Sequence, residues 1–197
     1  NRGEIACRVI DTLKRLGIGS VAVFHRSERG SRFVTMADEA VEITGETPVA
    51  AYLDGAQIID VARRTGAEAI HPGYGFLSEN PTFARRCSEV GITFIGPNPD
   101  VMEKMGDKLR ARKLATKAGL AVLPGTDEAV EDTEAMDRAW ELGFPLMVKA
   151  AEGGGGIGIH IIESLDELLP LVERTRKVAD NAFGSSRLFF ERYVKGA

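Results

Sequence analysis

The stretch VKAAEGGGGIGIHI, residues 148–161, sets four consecutive glycines a few residues beyond Lys149, with apolar runs on both sides. Each glycine in ordered structure costs about 0.5–1 kcal/mol of backbone entropy relative to alanine. Four together imply a task that side chains would obstruct. A dinucleotide fingerprint is formally matched, because Gly153, Gly155 and Gly158 fit GxGxxG. That motif requires a helix to open at the last glycine, whereas IGIHIIE alternates and is rich in isoleucine, which favours a strand. A Walker loop needs its lysine after the glycines and before Ser or Thr; here the lysine comes first. The flanks fit an antiparallel hairpin, LMVKA and GIHII, joined by a glycine-rich turn. The bare backbone N–H groups of such a tip can fold over a phosphate chain. Strand alternation places Met147 and Lys149 on one face, and Leu146 and Val148 on the other. A soft apolar residue beside an ammonium suits an adenine ring and its phosphates. A flexible hairpin with a surface lysine is the plainer alternative on pattern alone.

The rest of the chain supplies a frame for this hairpin. Residues 4–16 place Ile5, Val9, Ile10, Leu13 and Leu16 at helical spacing, and Gly17 and Gly19 stop the helix. SVAVFH, AEAIHPG and ITFIGP read as short strands, and ADEAVEI as a weaker one. YLDGAQIIDVARRTG, ended by Gly66, and NPTFARRCSEVG read as the helices between them. Helices alternating with short β-branched runs imply an α/β fold, a parallel sheet covered by helices. Ligands of such sheets gather at the carboxyl ends of strands, and HPGYGF lies at one of these ends.

The texture changes near residue 100. A helical segment, DVMEKMGDKLRARKLATKAG, is interrupted at Gly106 and closed by Gly119. A helix around DTEAMDRAWELG leads to the hairpin, then to a long helix over 164–181 and a final strand, SRLFFERYV. Ser164 and Glu167 have the spacing of a capping box, and Pro170 predicts a kink or early break.

A formal charge of −4 and a pI near 5.5 argue against nucleic acid as the main partner, since phosphate neutralisation needs a basic surface. No run of 18 apolar residues is present, so no membrane-spanning helix is expected. Cys7 and Cys87 form no CxxC, which leaves neither a disulfide framework nor a zinc site. A reducing compartment follows, the cytoplasm or, in a eukaryote, the mitochondrial matrix. The start at Asn1 and the stop just after FFERYVKGA are expected to mark a piece of a longer polypeptide.

NRGEIACRVI at the start, IHPGYGFLSEN at 70–80, and MGDK at 105–108 followed by VKAAEGGGGIG closely resemble biotin carboxylase. This is the ATP-grasp component of acyl-CoA, pyruvate and related carboxylases. PGT at 124–126 and ERYV at 191–194 fall in the same order, so the similarity runs along the whole chain. HPGYGFLSEN is highly specific; a tetraglycine alone is not.

The resemblance implies a Rossmann-like domain over 1–104, preceded by one further strand, and a partial ATP-grasp domain over 105–197. Lys108 and Lys149 match the two lysines that bind the ATP phosphates, where paired ammonium groups offset polyphosphate repulsion. Gly153, Gly154, Gly155 and Gly156 match the mobile loop that closes over the nucleotide. Glu191 would accept from the adenine amino group, and backbone groups of Arg192 and Val194 would meet the ring edge, with Tyr193 in the same strand. Met147 and Ile159 would sandwich the ring. Tyr74 and Gly75 would lie closest to biotin. His71 follows a buried strand and precedes Pro72, which favours a structural, hydrogen-bonded histidine over an acid or base. His25 and His160 are given no role, and Asp38 and Glu39 a structural one.

The sequence departs from the family at Glu152, where small residues are common, and at Ile157, where a basic residue is frequent. The family uses ATP and bicarbonate to form carboxyphosphate and then carboxylates biotin. Its partners are the biotin carboxyl carrier domain and a carboxyltransferase, within a homodimer or larger complex. The carboxylates for Mg2+ or Mn2+ and the bicarbonate and biotin catalytic groups are expected beyond Ala197, so these residues alone are not expected to carboxylate biotin. Another ATP-grasp carboxylate–amine ligase, a noncatalytic nucleotide-binding or docking module, and a nicotinamide dehydrogenase are the competing readings.

Overall fold

The computed structural model describes residues 1–196, in two compact units, Asn1–Met102 and Glu103–Ala197. The first unit opens with α1 (Gly3–Arg15), which buries Ile5, Ala6 and Ile10 along one face. Strand β1 (Val21–His25) follows, then α2 (Arg32–Met36) and β2 (Glu39–Ile43). The two strands pair in parallel, from Val21 opposite Glu39 to His25 opposite Ile43. Asp38 accepts from the Ser20 amide at 2.9 Å and its hydroxyl at 2.7 Å, the structural role expected of it.

The single helix expected over 52–66 is two, α3 (Pro48–Leu53) and α4 (Gly55–Thr65). Asp54 separates them. Its side chain accepts from the Gln57 amide at 3.0 Å and caps α4, because a short carboxylate competes for backbone N–H groups better at a helix end than inside one. Gly66, with φ of 68°, closes α4.

Strands β3 (Ala69–Ile70) and β4 (Thr93–Phe94), on either side of α5 (Pro81–Glu89), are shorter than the sequence suggests and also pair in parallel. The expected parallel sheet is therefore present as two two-stranded pieces. A cavity of about 730 Å3 is lined by Ile5, Ile10, Val21, Val23, Val61 and Ile70, side chains from α1, both pieces of the sheet and α4. Among the described residues no strand fills this space.

Helix α6 (Pro99–Gly106) spans the change from one unit to the next, and α7 (Lys108–Lys117), α8 (Ala135–Leu142), β5 (Leu146–Ala150), β6 (Ile159–Ile162), α9 (Leu165–Phe183) and β7 (Leu188–Arg192) complete the second. The strands form an antiparallel sheet in the order β6-β5-β7. Its rear face buries Leu146, Val148, Ala150, Ile162, Leu188 and Phe190 with Leu168, Val172 and Ala179 of α9 and Ala135 and Ala139 of α8.

The break expected at Pro170 does not occur. An interior proline costs a helix about 3 kcal/mol, but Leu168, Val172, Thr175 and Ala179 are buried along α9, and each large apolar side chain returns about 1.5–3 kcal/mol on burial. The capping box is not formed either. Ser164 occupies the cap position without a side-chain bond, and the Glu167 carboxylate accepts from the Glu163 amide at 3.0 Å rather than from that of Ser164.

Candidate functional site

Alternation in β5 buries Leu146, Val148 and Ala150 behind the sheet and leaves Met147 and Lys149 half-buried in front. Directly opposed residues of antiparallel strands share a face. Met147 lies opposite Glu191 and Ile161, and Lys149 opposite Phe189 and Ile159. The front face therefore gathers Met147, Lys149, Ile159 and Glu191, four of the residues singled out in the sequence.

Glu191 is buried at 8% exposure. An isolated carboxylate would not stay charged there, and this one is held between two cations, Arg112 on Oε1 and Lys149 on Oε2. Arg112 lies one helical turn beyond Lys108 in α7 and also donates to the Leu123 carbonyl at 2.6 Å. Gly125, the glycine of the PGT segment, makes room for it. A Cβ there would stand 2.6 Å from the Phe190 carbonyl and 2.9 Å from the Arg112 guanidinium.

Lys108 is the first residue of α7, set by Asp107, whose carboxylate caps the helix by accepting from the Arg110 amide at 2.9 Å. Its own amide donates to the Ala151 carbonyl at 2.9 Å. Its ammonium reaches the root of the glycine turn, donating to the carbonyl of Gly153 at 2.6 Å and of Glu152 at 3.4 Å. Burial, and next the nearby Lys149 ammonium, hold the Lys108 pKa below that of an ordinary lysine, against the opposing pull of Asp107 and Glu152.

Arg187 bridges Asp107 at 2.8 Å and Glu152 at 3.2 Å. Glu152, the departure from the family pattern, is thus turned to a cation at the root of the turn. Burial would raise the Asp107 pKa, but the Arg110 amide and the Arg187 guanidinium together push it below the usual carboxylate range. Four cations, Lys108, Arg112, Lys149 and Arg187, stand against the three carboxylates Asp107, Glu152 and Glu191. The surplus is positive, as a polyanion site requires.

The turn between β5 and β6 needs its glycines. Gly153, Gly155 and Gly156 have φ of 78°, 68° and 77°, which L side chains rarely adopt. Beyond Gly153 the tip is open: a Cβ on Gly154, Gly155 or Gly156 would meet nothing within 4 Å. A strand follows rather than a helix, which removes the basis of the dinucleotide fingerprint. Ile157 is exposed beside the tip.

At the end of β7, the Arg192 amide donates to the Pro124 carbonyl at 2.8 Å and the Tyr193 amide to Pro145 at 3.2 Å. For a ring edge Arg192 therefore has only its carbonyl to offer. Val194 is exposed.

In the first unit, HPGYGF is irregular, with positive φ at Gly73, Gly75 and Phe76. His71 Nδ1 accepts from the Gly73 amide at 3.0 Å, so the ring braces the turn as expected. Tyr74 is exposed, and its hydroxyl donates to Glu4 at 3.4 Å. Gly75 lies beside it in the same turn. His25 and His160 are held by Ser27 at 2.8 Å and Thr175 at 2.9 Å.

Arg112, Asp107 and Arg187 were not singled out in the sequence. The local signals were the four-residue spacing from Lys108 to Arg112 and an Asp directly before a helix start; the ion-pair partners of all three lie far along the chain.

The chain is similar to known proteins along its whole length. Residues 1–102 match the family described as "Biotin carboxylase, N-terminal domain", and residues 107–197 match "Carbamoyl-phosphate synthase L chain, ATP binding domain". The 2-oxoglutarate carboxylase small subunit of Hydrogenobacter thermophilus is 49% identical over 196 residues, covering 99% of this chain and 41% of that protein. A biotin carboxylase of Halalkalibacterium halodurans is 46% identical over 99% of this chain and 43% of its own.

Among solved structures, the biotin carboxylase domain dimer of the Hydrogenobacter enzyme, in complex with MgADP, ADP and bicarbonate, superposes with a TM-score of 0.95 at 48% identity, covering 99% of this chain and 43% of that one. The Campylobacter jejuni biotin carboxylase–beta-gamma-ATP complex gives 0.96 at 36% identity, with 99% and 44% covered. The chain thus spans about two fifths of the length of these two relatives. With more than half its residues under one family description and the other half under an ATP-binding one, the chain belongs to the biotin carboxylase family.

Proposed function

We propose that these residues form the amino-terminal, nucleotide-gripping part of a biotin carboxylase, which uses ATP and bicarbonate to carboxylate biotin through carboxyphosphate. The observation that carries this reading is the front face of the β6-β5-β7 sheet. Two ammonium groups, Lys108 and Lys149, stand beside a side-chain-free turn and are held by internal acceptors, the Gly153 carbonyl and the Glu191 carboxylate. A phosphate oxygen would give Lys108 a charged acceptor in place of a neutral carbonyl, and Lys149 an anionic acceptor of the same class as its present carboxylate.

The donor set fits a nucleoside triphosphate. Lys108 and Lys149 would bind the phosphates, and the amides of Gly153–Gly156 would close over them and exclude water. Met147 and Ile159 would flank the base, with Glu191 and the strand end at Arg192, Tyr193 and Val194 along its edge. Among the described residues no group of three or more His, Cys, Asp or Glu side chains could hold a metal ion. In the family resemblance Mg2+ or Mn2+ belongs to carboxylates outside this chain, where it would neutralise charge on the transferring phosphoryl group. We assign residues 1–104 to the Rossmann-like domain, with Tyr74 and Gly75 toward biotin, and 105–197 to the ATP-grasp domain. The carrier domain, the carboxyltransferase and a second copy of the carboxylase are the partners this reading requires.

The test is biotin-dependent phosphate release from ATP by the full-length protein, with Lys149→Met as the variant. Turnover that needs biotin and bicarbonate and falls at least about 100-fold in the variant supports the reading. Equal turnover without biotin, or transfer to an amino acceptor instead, points to a different ATP-grasp ligase and overturns it.

A further inference from the structure

We propose that Arg112 is a positioning residue for recognition of the nucleotide base. It holds the Glu191 carboxylate so that its second oxygen faces an exocyclic amino group once Lys149 has turned to the phosphates. The inference rests on the nucleotide reading above and adds to it the residue that sets base preference.

Arg112 is fixed from several sides. One nitrogen donates to Glu191 Oε1, and the other to the Leu123 carbonyl at 2.6 Å. The guanidinium lies 6.0 Å from the centre of the Phe189 ring, and Gly125 leaves space for it that a Cβ would close. Its side chain is 12% exposed, and its Nε–H is buried without a partner. Stability alone does not explain such a placement, because replacing a buried ion pair by packed apolar groups is often neutral or favourable.

The geometry does explain a division of labour on Glu191. The two carboxylate oxygens have separate cations, Arg112 on Oε1 and Lys149 on Oε2. Lys149 stands on the same strand as the glycine turn and is free to exchange a carboxylate for phosphate. Arg112 is not, since its second nitrogen is tied to Leu123. When Lys149 leaves, Arg112 keeps Glu191 oriented, with Oε2 open on the front face. An anionic acceptor there favours a purine bearing an amino group and repels one bearing a carbonyl, since a buried group left unpaired loses its full hydrogen bond.

The experiment uses the full-length protein with ADP and inosine diphosphate, which differ in that amino group, and the variants Arg112→Met and Arg112→Lys. The wild type should prefer ADP. Arg112→Met should shrink the ADP-to-IDP preference at least about tenfold, about 1.4 kcal/mol, by weakening ADP binding without weakening IDP binding. Arg112→Lys should fall between. Thermal unfolding establishes that each variant is folded; if Arg112→Met is not, the lysine variant decides, with a ratio at least about threefold lower in favour and an unchanged ratio against. Equal weakening for both nucleotides makes Arg112 a structural brace and overturns the proposal, as does an unchanged ratio. A wild type that binds neither nucleotide overturns the nucleotide reading itself, and this proposal with it.

Discussion

The Lys108 ammonium donates to the carbonyl of Gly153 at 2.6 Å, tying the first residue of α7 to the first of four glycines 45 positions away. In the proposed reading, the cation that would bind phosphate rests on the backbone of the turn that would cover it. Replacing Lys108 by methionine removes both contacts. A hydrogen bond to a charged group contributes about 1.5–3 kcal/mol, so ADP affinity should fall about 10- to 100-fold in calorimetric titration. The turn should also exchange its amide hydrogens faster in the free protein. Unchanged affinity would detach Lys108 from the nucleotide.

The same lysine predicts a pH dependence. Burial and the neighbouring Lys149 hold its pKa below the ordinary value, and only its protonated form attracts phosphate. Nucleotide affinity should therefore be full at neutral pH and decline on the alkaline side before an ordinary lysine, near 10.4, begins to titrate. Lys108→Arg keeps its charge throughout this range, so the variant's affinity, whatever its level at pH 7, should stay flat between about pH 7 and 10. A wild-type profile equally flat would remove the assigned cause.

Glu167, Asp54 and Arg112 mark what the sequence could and could not disclose. The two faces of β5 were legible, because a period of two in LMVKA is set by local backbone geometry alone. The hairpin was legible for the same reason, its two alternating runs flanking a run of glycines, three of which have the positive φ that L residues rarely adopt. Helix ends were less so: Glu167 has the spacing of a capping box yet bonds the Glu163 amide, and Asp54 divides a continuous apolar pattern by capping one half. Such choices turn on competition between nearby N–H donors, which residue types alone do not decide. The ion pairs of the site were not legible. Arg112 meets Glu191 across 79 positions and Arg187 meets Asp107 across 80, and no local spacing encodes such a meeting. The resemblance placed Lys108, Lys149 and Glu191, but not the residues that hold them.

Asp107 should make the start of α7 sensitive to acid. Its folded pKa lies below the usual carboxylate range, so the stability it contributes is present above the unfolded value, near 3.9, and is lost as pH falls through the folded one. Asp107→Asn retains a side chain that caps helices well but loses the charge that pairs with Arg187. Hydrogen exchange of the α7 amides should be faster in the variant at pH 7, and the difference from wild type should shrink below about pH 4. A difference that persists undiminished at pH 2–3 would assign the effect to the cap and not to the charge.

Gly153 and Gly154 are neighbours with opposite constraints. At Gly153 the backbone has φ of 78°, and an added Cβ would stand 2.3 Å from the Phe183 ring, which is itself packed against the rear core. Gly154 has no positive φ, and a Cβ there would meet nothing within 4 Å. Left-handed backbone costs an L residue about 1–2 kcal/mol, and displacing Phe183 adds to that. Gly153→Ala should therefore destabilise by at least about 2 kcal/mol, whereas Gly154→Ala should stay within about 0.5 kcal/mol, as exposed sites without special geometry do. Denaturant unfolding of the two variants in the full-length protein separates these cases. Equal effects would mean that the turn does not hold Gly153 against Phe183, and that the glycines serve only to keep the tip bare.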